Sequence, residues 1–333
     1  KLRAVFLEDM LCRETLKDKP HMSLFKMDSV LNHEAIASAV EGYACSELLR
    51  PLANFVDRDR GVIATASQKL YPTFTNKPLH EMGLFFQKNG ELWPMPGGHG
   101  QVYWVLRDIF EDMYRQGKKF VYISNIDNIG ALVSRATVAY MALTGKQAAF
   151  DFSFKTESDV KGGVAIIDEN GRTNCADLGM AISKEALREI SPQKELLFNN
   201  ATGLFNLDWL VKNLDRIIEF LPMRISTQVK EVGTYKQAEQ SLWEVMGLME
   251  DKTIIAVNKY ERFLAAKLFV ETLMNSAVHM SHPKYPEHFR NLASQMSVGF
   301  SNLLRFRYGL ELIDGVWTPK TVEQWVGDRR SGF

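Results

Sequence analysis

Lys119-Phe120-Val121-Tyr122-Ile123-Ser124-Asn125-Ile126-Asp127-Asn128-Ile129-Gly130-Ala131-Leu132 is the stretch on which the fold turns. The β-rich run Phe120–Ile123 ends abruptly in small polar residues, one carboxylate and a glycine, and a helical pattern follows from about Ala131. In an open α/β sheet, ligands lie just beyond the carboxyl ends of the strands, which puts Asn125, Asp127 and Asn128 where chemistry is expected. One aspartate there can anchor a divalent metal, and two amides can hold sugar hydroxyls. The same residues also serve as a helix N-cap, which Asp and Asn favour.

Outward from this segment, strand patterns alternate with helix patterns over most of the chain. The helices are expected at 35–56 (broken at Pro51), from the Pro/Gly-rich loop to about Gly117, at 131–144, at Leu207–Phe220 and at Gln237–Met249. Strands are expected at Gly61–Ala66, Gln147–Lys155, Glu195–Asn199, Met223–Val229 and Thr253–Asn258, and hairpins around Asn89-Gly90, Glu169-Asn170-Gly171 and Asp314-Gly315. That alternation predicts a mixed, mostly parallel sheet with helices on both faces. Residues 1–270 read as the core and 271–333 as a mainly helical C-terminal region, with no short periodic pattern of a β-helix.

Composition narrows the class. Forty Lys+Arg against forty Asp+Glu gives zero net charge, which removes the footprint of a general nucleic-acid binder. A hydrophobic content of 46% supports a full core in a chain of 333 residues, and no run approaches a membrane span. The three cysteines (Cys12, Cys45, Cys175) are isolated, which fits a reduced, cytoplasmic protein. Oligomeric state is not written in the sequence.

Three further segments can carry chemistry. Gly97-Gly98-His99-Gly100 precedes a helix, so its backbone N–H groups can meet an anion, with His99 as a donor beside them, or it is simply a turn. Asp159-Val160-Lys161-Gly162-Gly163 presents a glycine backbone before a strand and reads equally as a bulge. Lys267 can reach a phosphate as a point charge or snorkel to solvent. Gln237 and Glu239 read as ordinary helix-start residues. Nucleophile-elbow, His-Glu-x-x-His and Walker A patterns are absent from the sequence.

Taken in order, these pieces resemble the UDP-glucose pyrophosphorylase (UTP–glucose-1-phosphate uridylyltransferase) family. Ser124-Asn125-Ile126-Asp127-Asn128-Ile129-Gly130-Ala131 is similar to its Ser-Asn-x-Asp-Asn-Leu-Gly-Ala signature, and Pro96–Gly100 to Pro-Pro-Gly-His-Gly. Asp159–Gly163 matches Asp-Val-Lys-Gly-Gly, and Gln68–Pro72 resembles Gln-x-x-Tyr-Pro. Phe198-Asn199-Asn200 is similar to Phe-Asn-Thr-Asn-Asn, Gln237-Ala238-Glu239 to Gln-Leu-Glu, and Arg262–Lys267 to Arg-Phe-Leu-Pro-Val-Lys.

The resemblance implies a Rossmann-like GT-A nucleotide-diphospho-sugar transferase core that uses Mg²⁺ and acts on UTP and a hexose 1-phosphate to give a UDP-sugar. Under it, Gln68 and Gly98 contact uracil or nearby groups, and His99, Asn125 and Asp127 face the sugar phosphate and nucleotide. Asn199 or Asn200 holds the hexose, Gly163 lines its pocket, and Lys267 binds phosphates at the reacting centre. Glu239 is counted with the substrate-binding residues, and Asp127 is the expected metal ligand. The family's Leu-x-Gly-Gly-x-Gly-Thr-x-x-Gly loop has no counterpart in residues 1–60. Two expectations account for that, a chain cropped ahead of Lys1 or a divergent relative that keeps the sugar-nucleotide pocket and has rebuilt or lost the triphosphate grip. For function, the alternative to a uridylyltransferase is a catalytically inactive relative that holds a UDP-sugar. A glycosyltransferase with a UDP-sugar donor ranks behind both, because its Asp-x-Asp motif is not what surrounds Asp127.

Overall fold

Alternation along Ala148–Phe154 builds the centre of the fold. Ala148, Phe150 and Phe152 point into the larger core, with Phe205, Trp243 and Phe110. Ala149 faces the opposite way, with Met141 and Leu204, while the neighbouring Asp151 and Ser153 are buried polar residues. A strand buried on both faces needs a covering layer on each. Helices Arg107–Arg115, Leu207–Lys212 and Leu214–Phe220 supply one, and Arg135–Thr144 the other.

The computed structural model describes residues 1–15, 22–43, 45–49, 52, 63–156, 159, 162–178, 181–183, 186, 189, 195–265 and 286–331. In chain order its strands are β1 (Phe25–Ser29), β2 (Ala64–Gln68), β3 (Leu70–Tyr71), β4 (Phe74–Thr75), β5 (Met95–Pro96), β6 (Phe120–Ser124), β7 (Ala148–Phe154) and β8 (Gly163–Ile167). They continue as β9 (Thr173–Asp177), β10 (Leu197–Asn206), β11 (Arg224–Lys230), β12 (Gly233–Glu239), β13 (Lys252–Ala256), β14 (Leu310–Ile313) and β15 (Val316–Pro319). The mixed main sheet runs β13-β7-β10-β8-β9, with β6 also paired to β10. Strand β13 is parallel to β7, and β10 is antiparallel to β6, β7 and β8. Strands β1 and β2 form a separate parallel pair, and β11-β12-β4 a smaller antiparallel sheet.

Several expectations from sequence shift. The helix expected at 131–144 starts at Arg135, because Ser134 accepts the Thr137 N–H as a cap and the Leu132 carbonyl is held by Arg262 instead. The helix over Leu207–Phe220 breaks at Asn213, whose side-chain amide donates to the Trp209 carbonyl. Residues 237–249 are not an α-helix. Tyr235 and Gln237 are buried in alternation along β12, and only Leu242–Leu248 coils, as a 3-10 helix. The first helix of the 35–56 pattern ends at Tyr43, and β2 runs on through Ser67 and Gln68. Pro51, Gly61 and Val62 lie outside the described residues.

At the C-terminal end, helices Glu287–Asn302 and Val322–Ser331 flank the β14–β15 hairpin, which turns at Asp314-Gly315. This part packs on the rest of the chain through two clusters. Trp325 and Val326 meet Leu7, Met10 and Leu52, and Ala293, Met296 and Leu303 meet Ala4, Leu132 and Leu264.

Candidate active site

The turn after β6 is built around Asn128. Its amide nitrogen donates to the Asn200 carbonyl (2.9 Å) and the Arg262 carbonyl (3.0 Å), and its oxygen accepts from Gly130 N (3.1 Å) and Leu264 N (3.0 Å). The side chain is 1% exposed and its bonding capacity is used inside the protein, so the expectation that Asn128 holds a sugar hydroxyl is not met. What Asn128 does instead is fix the turn, leaving Asn125 and Asp127 half-buried at the strand end and Ile126 exposed between them.

Beside this turn, β10 carries a bulge. Its pairing with β7 shifts between Asn199 and Gly203, Ala201 takes a left-handed conformation (φ 52°), and the Asn199 side-chain oxygen accepts the Ala201 N–H at 2.7 Å. The Ala201 carbonyl in turn accepts the Asn125 N–H (3.2 Å), which ties the two strand ends together. Bulges re-aim side chains. Here Asn199 and Asn200 are 3% and 0% exposed, and the amide nitrogen of each is buried without a hydrogen-bond partner among the described residues. A buried donor left unpaired costs about 1–3 kcal/mol, so two in succession mark a place where an incoming acceptor is welcome.

The third wall is the β8–β9 hairpin. Gly163 stands opposite Asp177 in its register and next to Asn199. A Cβ at position 163 would lie 2.3 Å from Cys175 Sγ and 3.2 Å from Asp177 Oδ1, so glycine lets the strand approach these groups. Asp177 is 6% exposed, and its carboxylate makes no hydrogen bond or ion pair among the described residues. It can accept from hydroxyl donors just as Asn199 and Asn200 can donate. Sequence reading missed Asp177. The signal was the hairpin itself: counting seven residues either side of Asn170 lands on Gly163 and Asp177.

A second cluster surrounds the glycine loop. Gly97 O accepts from Gln240 N (2.9 Å), Gly100 N donates to Gln240 O (2.8 Å), and the Gln237 amide donates to the Pro96 carbonyl (2.8 Å). Gly98 has φ 86°, and a Cβ there would meet the Gln240 carbonyl oxygen at 2.7 Å. Its glycine is therefore required by β12 as well as by any ligand. His99 Nδ1 accepts the Leu242 N–H (2.9 Å), which puts the ring hydrogen on Nε2. The Glu239 carboxylate accepts from Ser226 Oγ and Gln228 Nε2, so it is engaged towards β11, and Gln237 and Glu239 are strand residues rather than helix starts. Gln68 closes β2 with its Oε1 buried and unpartnered among the described residues.

Thus the turn that carries Asn125 and Asp127 is tied to the Asn199–Ala201 bulge, Gly163 lies against Asn199, and Gly98, His99 and Glu239 form their own group. Lys267 lies outside the described residues. No group of three or more His, Cys, Asp or Glu side chains able to hold a metal occurs among the described residues. Mg²⁺ needs no such cage, since it is commonly held by one or two carboxylates plus phosphate oxygens.

The profile of the UTP–glucose-1-phosphate uridylyltransferase family matches residues 47–298. The chain belongs to that family. Among curated relatives, the UTP–glucose-1-phosphate uridylyltransferase of Hordeum vulgare is 26% identical over 255 residues, covering 75% of this chain and 50% of its own length. The probable enzyme of the same name from Schizosaccharomyces pombe is 26% identical over 202 residues, 59% of this chain and 37% of its own. The chain thus spans about half the length, or less, of these relatives. Among solved structures, UDP-glucose phosphorylase from Trypanosoma brucei superposes with a TM-score of 0.61 at 19% identity, over 81% of this chain and 58% of that one. A variant of Leishmania major UDP-glucose pyrophosphorylase in complex with UDP-glucose gives 0.58 at 18% identity, over 82% and 58%. These likenesses show the fold, a nucleotidyltransferase-type α/β core. Among the described residues no helix is long and apolar enough to cross a membrane.

Proposed function

We propose that this chain forms UDP-glucose and pyrophosphate from UTP and glucose 1-phosphate. The observation that carries the reading is the pair of buried, unpaired amide nitrogens of Asn199 and Asn200 at the strand end among the described residues, next to the largely buried Asp177 and the turn that carries Asp127. Asn199 and Asp177 stand against Gly163, and the unpaired Asn200 amide follows on the same strand, with its oxygen held by Ser153 Oγ. Donors and an acceptor so grouped suit a hydroxyl-rich ring, and no apolar ligand satisfies them.

In this reading Asn199, Asn200 and Asp177 orient the hexose, with Gly163 as its floor. Gln68 and Gly98 meet the uracil side, His99 donates from Nε2, and Glu239 braces the glycine loop through β12. The sugar phosphate is already an anion, so no strong general base is needed, and positioning plus charge neutralisation carry the step. Asp127 would hold Mg²⁺, which when bound neutralises charge on the triphosphate. Lys267 would add a cation from the segment that follows Ala265.

The test is pyrophosphate release from UTP and glucose 1-phosphate with Mg²⁺, run beside Asp127→Ala. Release by the parent and loss of at least about a hundredfold in the variant is the expected result. Equal turnover in both would remove Asp127 from the mechanism. UDP-glucose binding without release would instead identify a chain that holds the sugar nucleotide without turning it over.

A further inference from the structure

We propose that Arg262 is a positioning residue for Asp127, and that the turn 125–132 and the segment 259–265 work as one body. The inference rests on the reading that Asp127 serves the bound nucleotide. An anchor on β7 and contacts of both side chain and backbone join the two segments. The Arg262 guanidinium is 14% exposed and held by Asp151 Oδ2 at 2.6 Å (Nη2) and 3.2 Å (Nε). From that anchor, Nη1 donates to the Leu132 carbonyl at 2.7 Å and to Gly130 O at 3.4 Å. The Arg262 carbonyl accepts from Asn128, the residue after Asp127, and Ile129 N donates to Leu264 O at 3.1 Å, so the pair closes like a short ladder with a bridge between Asn128 and Ala265.

This arrangement has a directional logic. Asp151 belongs to β7, the rigid centre of the sheet, and it fixes the guanidinium plane in a geometry that lysine cannot copy with one nitrogen. The guanidinium then pins two carbonyls on the far side of the Asp127 turn, while its backbone pins the near side through Asn128. A second ion pair secures the other end of the segment: Lys259 bonds Asp159 and Thr156, on the stretch that leads to Gly162 and Gly163. Loosening Arg262 therefore frees the turn without removing any group that touches a ligand.

The experiment is a double-mutant cycle on the full chain, read by calorimetric binding of UDP-glucose in Mg²⁺. Asp127→Ala is expected to weaken binding, which checks the underlying reading. Arg262→Gln is expected to weaken it by about tenfold in the parent and by less than about twofold in the Asp127→Ala background, because a residue acting through Asp127 has nothing left to act on. Arg262→Lys should recover only part of the loss. An Arg262→Gln effect of equal size in both backgrounds would mean general loosening and would overturn the proposal. No weakening by Asp127→Ala, or no binding by the parent, overturns the reading and the inference with it. If Arg262→Gln does not fold by circular dichroism, Asp151→Asn, which keeps the arginine but removes its anchor, takes its place in the cycle with the same expected pattern.

Discussion

A methyl group added at Gly163 has nowhere to go. It would lie 2.3 Å from Cys175 Sγ, and the sulfur is itself 1% exposed within the main core. Gly163→Ala should therefore cost about 1–3 kcal/mol of stability through overpacking, as a lowered melting temperature. The second contact, 3.2 Å to Asp177 Oδ1, pushes the carboxylate that faces the proposed sugar site, so UDP-glucose binding should weaken as well. The two effects separate in the double variant. Gly163→Ala with Cys175→Ala removes the sulfur and should restore most of the melting temperature while leaving binding impaired. Full recovery of both would show that Asp177 is not part of the binding wall. The same residue scale shows why Cys175 is no reactive thiol: burial pushes its pKa well above the usual value, and the nearby Asp177 and Glu244 charges push the same way.

Strand β12 carries the glycine loop, and the loop is only as ordered as that strand. Gln237 is 6% exposed, and its amide reaches the Pro96 carbonyl while its backbone pairs with Ser226 on β11. Gln237→Leu keeps the volume but leaves the Pro96 carbonyl unpaired, which should cost about 1–2 kcal/mol. Amide exchange at residues 97–101 should rise more than at β11, and a uniform rise would place the loop's support elsewhere. This element is also where sequence reading went astray. Glu239, Leu242, Val245, Met246 and Met249 have helical spacing, yet Tyr235, Gln237 and Glu239 obey the alternation of a strand, and tertiary pairing with β11 decides in favour of the latter up to Glu239. By contrast β6, β7 and the β8–β9 hairpin were legible, because their alternation and turn residues agree with each other. At the site, Asp127 and Gly163 could be placed at strand ends from sequence. Asp177 was within reach of the hairpin register but was missed, and the engagement of Asn128 could not be read, since it depends on Asn200, Arg262 and Leu264, far away along the chain.

At the scale of the whole molecule, the question is whether the C-terminal helices and hairpin are a separate unit. Arg3 argues that they are not. It is 3% exposed, and its guanidinium donates to four carbonyls: Tyr308 (2.6 Å), Leu48 (2.6 Å), Gly309 (3.2 Å) and Lys320 (3.3 Å). No carboxylate pairs with it among the described residues, and burial lowers its pKa from the ordinary value. The charge is thus carried by carbonyl dipoles from Leu48, from Tyr308 and Gly309 just ahead of β14, and from Lys320 just after β15. Around it, Leu7 and Met10 pack with Trp325 and Val326. Such a knot predicts one cooperative unfolding transition for the whole chain. Arg3→Ala leaves four carbonyls to find other donors and should cost about 2–4 kcal/mol. The loss should be local first, so that amide exchange over 310–326 speeds by about thirtyfold or more while β7 and β10 stay protected. Arg3→Lys, with three donors for four acceptors, should fall between. Two separate transitions in the parent protein, or equal loss of protection at β7 and β10 in Arg3→Ala, would show that the C-terminal elements are not held by this residue.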